Sequence, residues 1–324
     1  MDKGSVSIVI PNWNRRALLV RLLESLAAQT RRPEEVVVVD NGSTDGSAEA
    51  ARALGARVIE MGTNAGFARA VNRGVGESAC AWIGIVNNDV EPREDWLERL
   101  LAGTGDAWFA TGKILSEGAP ARIDGAWDAV ARSGCACRCG WGDDDGPRWS
   151  ERRKIRMAPL TAALVRRAAF ERVGMLDERF ESYLEDVDFG LRCALAGLEG
   201  VYVPEAVAWH RGSATFGAWS PAMVRLIARN QVLLVAKHFS SKCLMRNAWA
   251  VLAGQALWGM LALRHRTGLA YLRGKWEGMR RFRSWREAGL SDLEGILAES
   301  EAEIRGLARE GGFGWYWRLY CALT

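Results

Sequence analysis

Apolar residues follow two rhythms along this chain. Residues 6–10 are a short unbroken apolar run, and Leu19, Leu22, Leu23 and Leu26 then recur at three- and four-residue spacing. The first pattern predicts a strand, the second a helix, with Asn14 as its N-cap. Residues 36–39 are all valine, as in a strand covered on both faces. The turn cluster DNGSTDGS at 40–47 leads into a short helix ending at Leu54. Residues 57–60 predict a third strand, 64–66 a loop, and 82–86 a fourth strand. Between the last two, a helix runs from about Phe67 to near Gly74. Strands alternating with helices predict a mainly parallel α/β sheet. Ligands collect beyond the carboxyl ends of such strands. Asp40 and the triplet Asn87, Asn88, Asp89 stand at two of those ends.

The rhythm weakens at 118–153, where Gly, Asp, Arg and Trp dominate. This stretch reads as a long functional loop or a small hairpin region. Helices are predicted at 167–173, stopped by Gly174, and from Glu185 to Gly197. A strand at 201–203 precedes Pro204, and everything past about Ala218 reads as helical. Residues 247–263 carry no charge. That run is at the short limit for a membrane span, so a buried or in-plane helix is the expectation. Arg264, Arg266, Arg273, Lys275, Arg280, Arg281, Arg283 and Arg286 follow, opposed by Glu277 and Glu287 and interleaved with Trp276 and Trp285. Two readings fit: an anionic membrane surface, or a helical bundle with a solvated basic face. SDLEGILAESEAEIRGLARE reads as an amphipathic helix. FGWYWRLYCALT is an aromatic cluster suited to a lipid interface or a homodimer contact.

The chain has 324 residues, 49% hydrophobic and 25% charged, enough to bury a sizeable core without staples. A net charge of +4 does not argue for a nucleic-acid partner. There are seven Cys, scattered except for Cys135, Cys137 and Cys139. No secretory signal is read at the N-terminus, so reduced cytosolic thiols are expected. The one-residue spacing of CACRC is not that of a zinc knuckle, and unbound thiols are the expectation.

The candidate chemistry lies in carboxylates. Asp89 closes an apolar strand behind two amides. That is either a strand-end turn or a site for a hard cation completed by substrate phosphate oxygens. Glu185, Asp186 and Asp188 crowd a helix start. First-turn acids complement the helix dipole, but three so close raise the proton affinity of at least one and suggest a general base. His210, one of three His, reads as structural alone and as a second metal ligand beside Asp89. GWGDDDGP, with Asp143, Asp144 and Asp145, reads as a solvated loop. DGAWD, from Asp124 to Asp128, reads as a polar loop or an acceptor-facing one.

In order, SIVIPNWNR, VVVVDNGSTDGS, NAGFARAVNRGV, IVNNDVEP, LEDVDFGLR and WHRGS resemble the family 2 glycosyltransferases, closest to the bacterial rhamnosyltransferase-like branch. The resemblance covers roughly residues 4–216. It implies a GT-A fold, a Rossmann-like α/β nucleotide-diphospho-sugar transferase domain at 1–216, followed by a helical region at 217–324. By resemblance, Asp40 bonds the nucleotide base, and Pro11 and Asn14 lie in the first loop against the nucleotide. Asn64, Gly66 and Asn72 shape the donor pocket. Asn87, Asn88 and Asp89 match the DxD metal motif, with Asn87 in place of its first Asp. Asp89 and His210 are implied as ligands of Mg2+ or Mn2+. Asp186 is implied as the catalytic base, with Glu185 beside it touching the acceptor. The implied activity is inverting transfer of a sugar, with dTDP-rhamnose the favoured donor, to a cell-surface glycan or lipid-linked acceptor. The implied location is cytoplasmic, at the inner face of the cytoplasmic membrane. A dinucleotide oxidoreductase is disfavoured because PNWNRR stands where G-x-G-x-x-G belongs. A nucleotidyltransferase would want a Gly-rich basic first loop, also missing. The alternative of another class, a non-catalytic sugar-nucleotide-binding docking protein, sits poorly with Asp89, Asp186 and His210 all present.

Overall fold

A computed structural model describes residues 4–118, 120–212, 219–287, 293–310 and 314–324. Its first part alternates as the sequence pattern predicts: β1 (Val6–Asn12), α1 (Arg16–Ala27), β2 (Glu35–Asp40), α2 (Ser47–Ala53), β3 (Arg57–Glu60), α3 (Phe67–Glu77) and β4 (Trp82–Val86). The apolar stripe of α1 buries Leu19, Leu22, Leu23 and Leu26 against one sheet face, each contributing roughly 2 kcal/mol. Asn14 is not its N-cap. Both Asn14 and the capping Arg15 are left-handed, at φ 58° and 66°, and the Asn14 Oδ1 accepts from Thr44 N instead. Pro11 lies inside β1, opposite Val39, rather than in the loop that follows.

After β4 come β5 (Val90–Pro92), α4 (Trp96–Thr104), β6 (Phe109–Ser116), β7 (Ile123–Gly125), β8 (Trp127–Val130) and β9 (Ala136–Cys139). Then follow β10 (Arg153–Ile155), β11 (Ala162–Arg166), α5 (Arg167–Val173), α6 (Glu185–Leu195) and β12 (Gly200–His210). The main sheet runs β10-β12-β6-β11-β4-β1-β2-β3. The expected mainly parallel sheet is in fact mixed. Strands β1 to β4 are parallel, as are β6 and β12, but β11 lies antiparallel between β4 and β6. Its five residues flow straight into α5, so no turn signal marks it. Strand β12 does not stop at Pro204. A register shift between Val203 and Val207 absorbs the proline's missing N–H, and pairing resumes to His210.

Of the two readings for 118–153, the hairpin is the one found. Strands β8 and β9 pair as a hairpin, and Trp127, Cys137, Cys139 and Trp149 are buried in the core beneath the main sheet. Its period-two alternation, apolar inward and polar outward, was masked by the Gly and Asp around it. The thiols of Cys135, Cys137 and Cys139 are free and buried, and burial pushes all three up.

The C-terminal part is helical: α7 (Pro221–His238), α8 (Ser241–Arg246), α9 (Ala248–Arg264), α10 (Gly268–Trp285), α11 (Leu293–Arg309) and α12 (Trp315–Leu323). Helix α9 buries one face and leaves the other exposed. Among the described residues no helix is long and apolar enough to cross a membrane. Lys275 leaves the expected basic face and turns inward to the side-chain oxygens of Gln231 and Gln255. Helix α11 clamps the β8–β9 hairpin: Ser300 Oγ accepts from Val130 N at 2.7 Å, and Glu301 takes Arg132 N at 2.9 Å and the Arg132 guanidinium at 2.6 Å. The boundary expected at 216–217 lies outside the described residues, as do Ser213 of WHRGS, Ser291 and Asp292 of the amphipathic helix, and Phe313 of the aromatic cluster.

Candidate active site

Parallel pairing of β1 with β2 sets Asn12 beside Asp40 at the carboxyl ends of both strands. Asn12 Nδ2 donates to Asp40 Oδ1 at 3.2 Å, and Asp40 Oδ2 accepts from Ser43 N at 3.0 Å. Ser43 Oγ accepts from Asn14 N at 2.7 Å, so the first two loops are laced together. Asn88 is buried, and its Nδ2 donates to Asn12 Oδ1 at 2.7 Å, which ties the end of β4 to the end of β1. Asn12 is a residue the sequence reading passed over, although it stands in the quoted IPNWNR.

The neighbouring loop is built by Asn41, also unread. Its Nδ2 donates to Asn64 Oδ1 and Gly66 O, both at 3.1 Å, and its Oδ1 accepts from Ala65 N. Gly66 sits at φ 90°, and a Cβ there would meet Glu181 O at 2.8 Å, so the loop needs glycine for close backbone approach. Asn72 spends its amide on the backbone of Leu176, donating at 2.8 Å and accepting at 2.9 Å, and also reaches Glu178.

Asp89 follows β4, and β5 pairs with β12 so that His210 lies opposite Val90. That pairing closes the long sequence gap: His210 Nε2 is 3.2 Å from Asp89 Oδ1. On its other side His210 Nδ1 is 2.8 Å from Asp124 Oδ2. Burial pulls the imidazole down, but the two carboxylates outweigh it and hold it at about 9. For Asp124 burial pushes up, and the His210 hydrogen bond wins and lowers it. The DGAWD segment is therefore no polar loop, because Asp124 turns to His210 and Asp128 is buried against Arg138. Asn87 holds Thr161 O through its backbone N–H, while its Oδ1 is buried without a hydrogen-bond partner.

The three acids at the start of α6 have separate fates. Asp188 is fully buried and takes Arg192 Nε at 3.0 Å, Lys237 Nζ at 2.8 Å and His238 Nε2 at 2.8 Å. Burial raises it, but these partners win and lower it; it fastens α6 to α7. Glu185 is buried with Oε2 unpartnered. Burial first, and then the Asp186 charge, push its carboxyl well up. Asp186 accepts from Val187 N at 2.9 Å and lies 3.7 Å from Arg138 Nη2. Arg138 Nε donates to Asp128 Oδ1 at 3.4 Å. Burial, opposed by Arg138 and aided by Asp186, lifts Asp128 to about 7. The Arg138 guanidinium is burdened by burial but held charged by Asp128, Asp124 and Asp186. Tyr183, raised first by burial, also feels both Glu185 and Asp89. One arginine on the β8–β9 hairpin thus contacts Asp128 and Asp186 and acts through its charge on Asp124. The signal for it was present, since CACRC alternates two by two with Arg138 on the polar side.

Of the GWGDDDGP acids, Asp144 is solvated as expected. Asp145 instead pairs with the buried amine of Lys113 at 2.6 Å, and Asp143 lies 3.7 Å from Arg148.

Residues 7–118 match the family model described as glycosyl transferase family 2, and residues 155–269 match glycosyl transferase family group 2. The chain is 33% identical over 231 residues to the N-acetylglucosaminyl-diphospho-decaprenol L-rhamnosyltransferase of Mycobacterium tuberculosis, covering 61% of this chain and 73% of that one. Its fold is similar to that of GalNAc-T7 with UDP, GalNAc and Mn2+, at TM-score 0.65 and 14% identity, over 92% of this chain and 57% of that one. It is also similar to the mannosyltransferase PcManGT of Pyrobaculum calidifontis with GDP-Man and Mn2+, at TM-score 0.51 and 16% identity, over 98% and 86%. With these likenesses, the chain belongs to the family 2 glycosyltransferases and carries the GT-A fold.

Proposed function

We propose that this glycosyltransferase is an inverting, cation-dependent enzyme that moves rhamnose from dTDP-rhamnose to a lipid-linked or cell-surface glycan acceptor. We place catalysis in residues 1–216, with 217–324 as a helical region, working at the inner face of the cytoplasmic membrane. The observation that carries the reading is the row Asp89–His210–Asp124, with Arg138, whose charge acts on both Asp124 and Asp186, 3.7 Å from Asp186. The Mycobacterium relative is named as a rhamnosyltransferase of a diphospho-decaprenol substrate, which supports the donor sugar and a lipid-linked acceptor. The two solved structures hold nucleotides with Mn2+, which supports a divalent cation.

The residues present fit such a cation. Asp89 offers a carboxylate oxygen and His210 an imidazole nitrogen on the same side, with the orphaned Asn87 Oδ1 near in sequence. Among the described residues no three His, Cys, Asp or Glu side chains form a closed metal cage. Two protein ligands with positions left for diphosphate oxygens suit Mg2+ or Mn2+. When bound, the cation offsets negative charge on the leaving diphosphate. Asp124 orients His210 by holding its Nδ1, as carboxylates behind a ligating imidazole do. Asp40, backed by Asn12 and Ser43, faces the nucleotide base, with Pro11 and Asn14 beside it. The loop of Asn64 and Gly66, braced by Asn72 on α3, shapes the donor pocket. Asp186 takes the proton of the acceptor hydroxyl while that oxygen attacks the anomeric carbon and the sugar–diphosphate bond breaks. A single displacement of this kind inverts the configuration. Glu185, whose carboxyl is pushed well up by burial and the Asp186 charge, stands beside that base toward the acceptor.

The test is a thermal-shift screen of nucleotide-diphosphate sugars with and without Mn2+, followed by product analysis for the hit. The reading predicts a cation-dependent shift largest for dTDP-rhamnose and a product of inverted anomeric configuration. Binding with neither transfer nor donor hydrolysis would assign the chain to docking instead.

A further inference from the structure

Helix α10 carries its small residues on one side. A Cβ at Gly274 would meet Arg225 O and Ala228, and one at Gly278 would meet Val232, so this side is pressed onto α7. The opposite side holds Leu269, Leu272, Trp276 and Met279, each between 58% and 86% exposed. Their spacing of three and four residues makes one continuous stripe. Helix α9 adds Leu252, Met260 and Leu263, each at least half exposed. Leu263 packs against Gly268, which joins the two stripes at the tip of the α9–α10 hairpin. A patch of this kind marks an interaction site, since isolated exposed apolar residues are ordinary but contiguous ones are not.

Charge decides the partner. Between residues 241 and 287 there are ten Lys and Arg against two Glu. Arg264, Arg266, Arg273 and Arg280 are exposed around the patch, and Arg280 lies over the Trp276 ring at 4.5 Å. An apolar stripe with an interfacial Trp and a basic rim fits a lipid surface with anionic headgroups. A second copy of this chain would set arginine against arginine. Trp219 packs on the hairpin tip, stacking on His265 at 4.1 Å.

We propose that the exposed face of the α9–α10 hairpin docks the enzyme on an anionic phospholipid surface, apolar stripe inward and arginines at the headgroups. The proposed lipid-linked acceptor gives this docking its purpose, but vesicle binding is read without turnover, so the two ideas fail separately. The test is flotation of the full chain with phosphatidylglycerol-containing vesicles and with pure phosphatidylcholine vesicles, at low and high salt. The expected result is flotation with the former, weakened by salt, and an at least tenfold lower bound fraction for Leu272→Ser/Trp276→Ser. The charge variant Arg264→Gln/Arg266→Gln/Arg280→Gln should lose the preference for anionic vesicles. Circular dichroism and a donor thermal shift check that both variants remain folded. No flotation of the wild-type chain at low salt, or unchanged flotation of the folded double variant, overturns the proposal. So does a vesicle-indifferent dimer that the double variant converts to monomer.

Discussion

At the residue scale the proposed site rests on Asp186 and on the row through His210. Asp186→Asn should keep donor binding by thermal shift while transfer falls on the order of 10²–10⁴-fold; turnover close to wild type would place the base elsewhere. Asp124→Ala removes the partner of His210 Nδ1. Its Mn2+ affinity, followed by electron paramagnetic resonance, should drop about 10- to 100-fold, with turnover recovering at saturating metal. Asp89, Asp186 and His210 could be picked out because each ends or begins an element with chemistry out of keeping with a bland turn. Asp124 could be read only as part of a polar or acceptor-facing segment, and Arg138 only as the polar position of CACRC, because their roles come from partners 86 and 48 residues away. Asn12 and Asn41 carry no such signal in the sequence, because they act by holding other side chains and loops in place.

At the element scale the α/β alternation up to β4 was readable because each strand is followed by its own helix and turn. Strands β6 to β11 were less so: β6, β10 and β11 pair with segments far off in sequence, and β7 to β10 are only three or four residues long. Gly66 is one place where local backbone decides. Gly66→Ala should lower stability by about 1–3 kcal/mol in denaturant melts, since a Cβ at positive φ would press on Glu181 O. The α7–α9–α10 contact carries a second, titratable signature. Burial lowers the Lys275 amine to about 7. Above that pH the folded chain has lost a proton that the unfolded chain keeps until about 10.4. Stability from this group should therefore rise from pH 7 to about pH 10, by a few kcal/mol at most. Lys275→Met should lack that slope in melts across the same range.

At the scale of the whole molecule, the helices after α7 are part of the same core as the sheet. Ile304, Leu307, Tyr316 and Tyr320 join Trp127 and Trp149 in one cluster. Burial raises Glu301, but Arg132, Arg305 and Tyr320 outweigh it and hold its carboxylate at about 2. Its contribution is thus fully present above about pH 4.3 and lost as pH falls toward 2. Removing residues 293–324 should leave a chain that limited proteolysis cuts rapidly around residues 127–149, with loss of near-ultraviolet dichroism. An intact, protease-resistant core would show that the sheet stands alone. The sequence marks α11 only as an amphipathic helix, because such helices look alike whether they face a partner or their own domain.

The grip of α11 on the β8–β9 hairpin has a practical consequence for engineering. Arg138 rides on that hairpin, so the far end of the polypeptide helps set where the proposed base Asp186 stands. Chimeras made by splicing the front half of one homologue to the back half of another will mismatch this brace. Recombination should instead exchange hairpin and brace as one cassette, leaving the donor-side loops untouched.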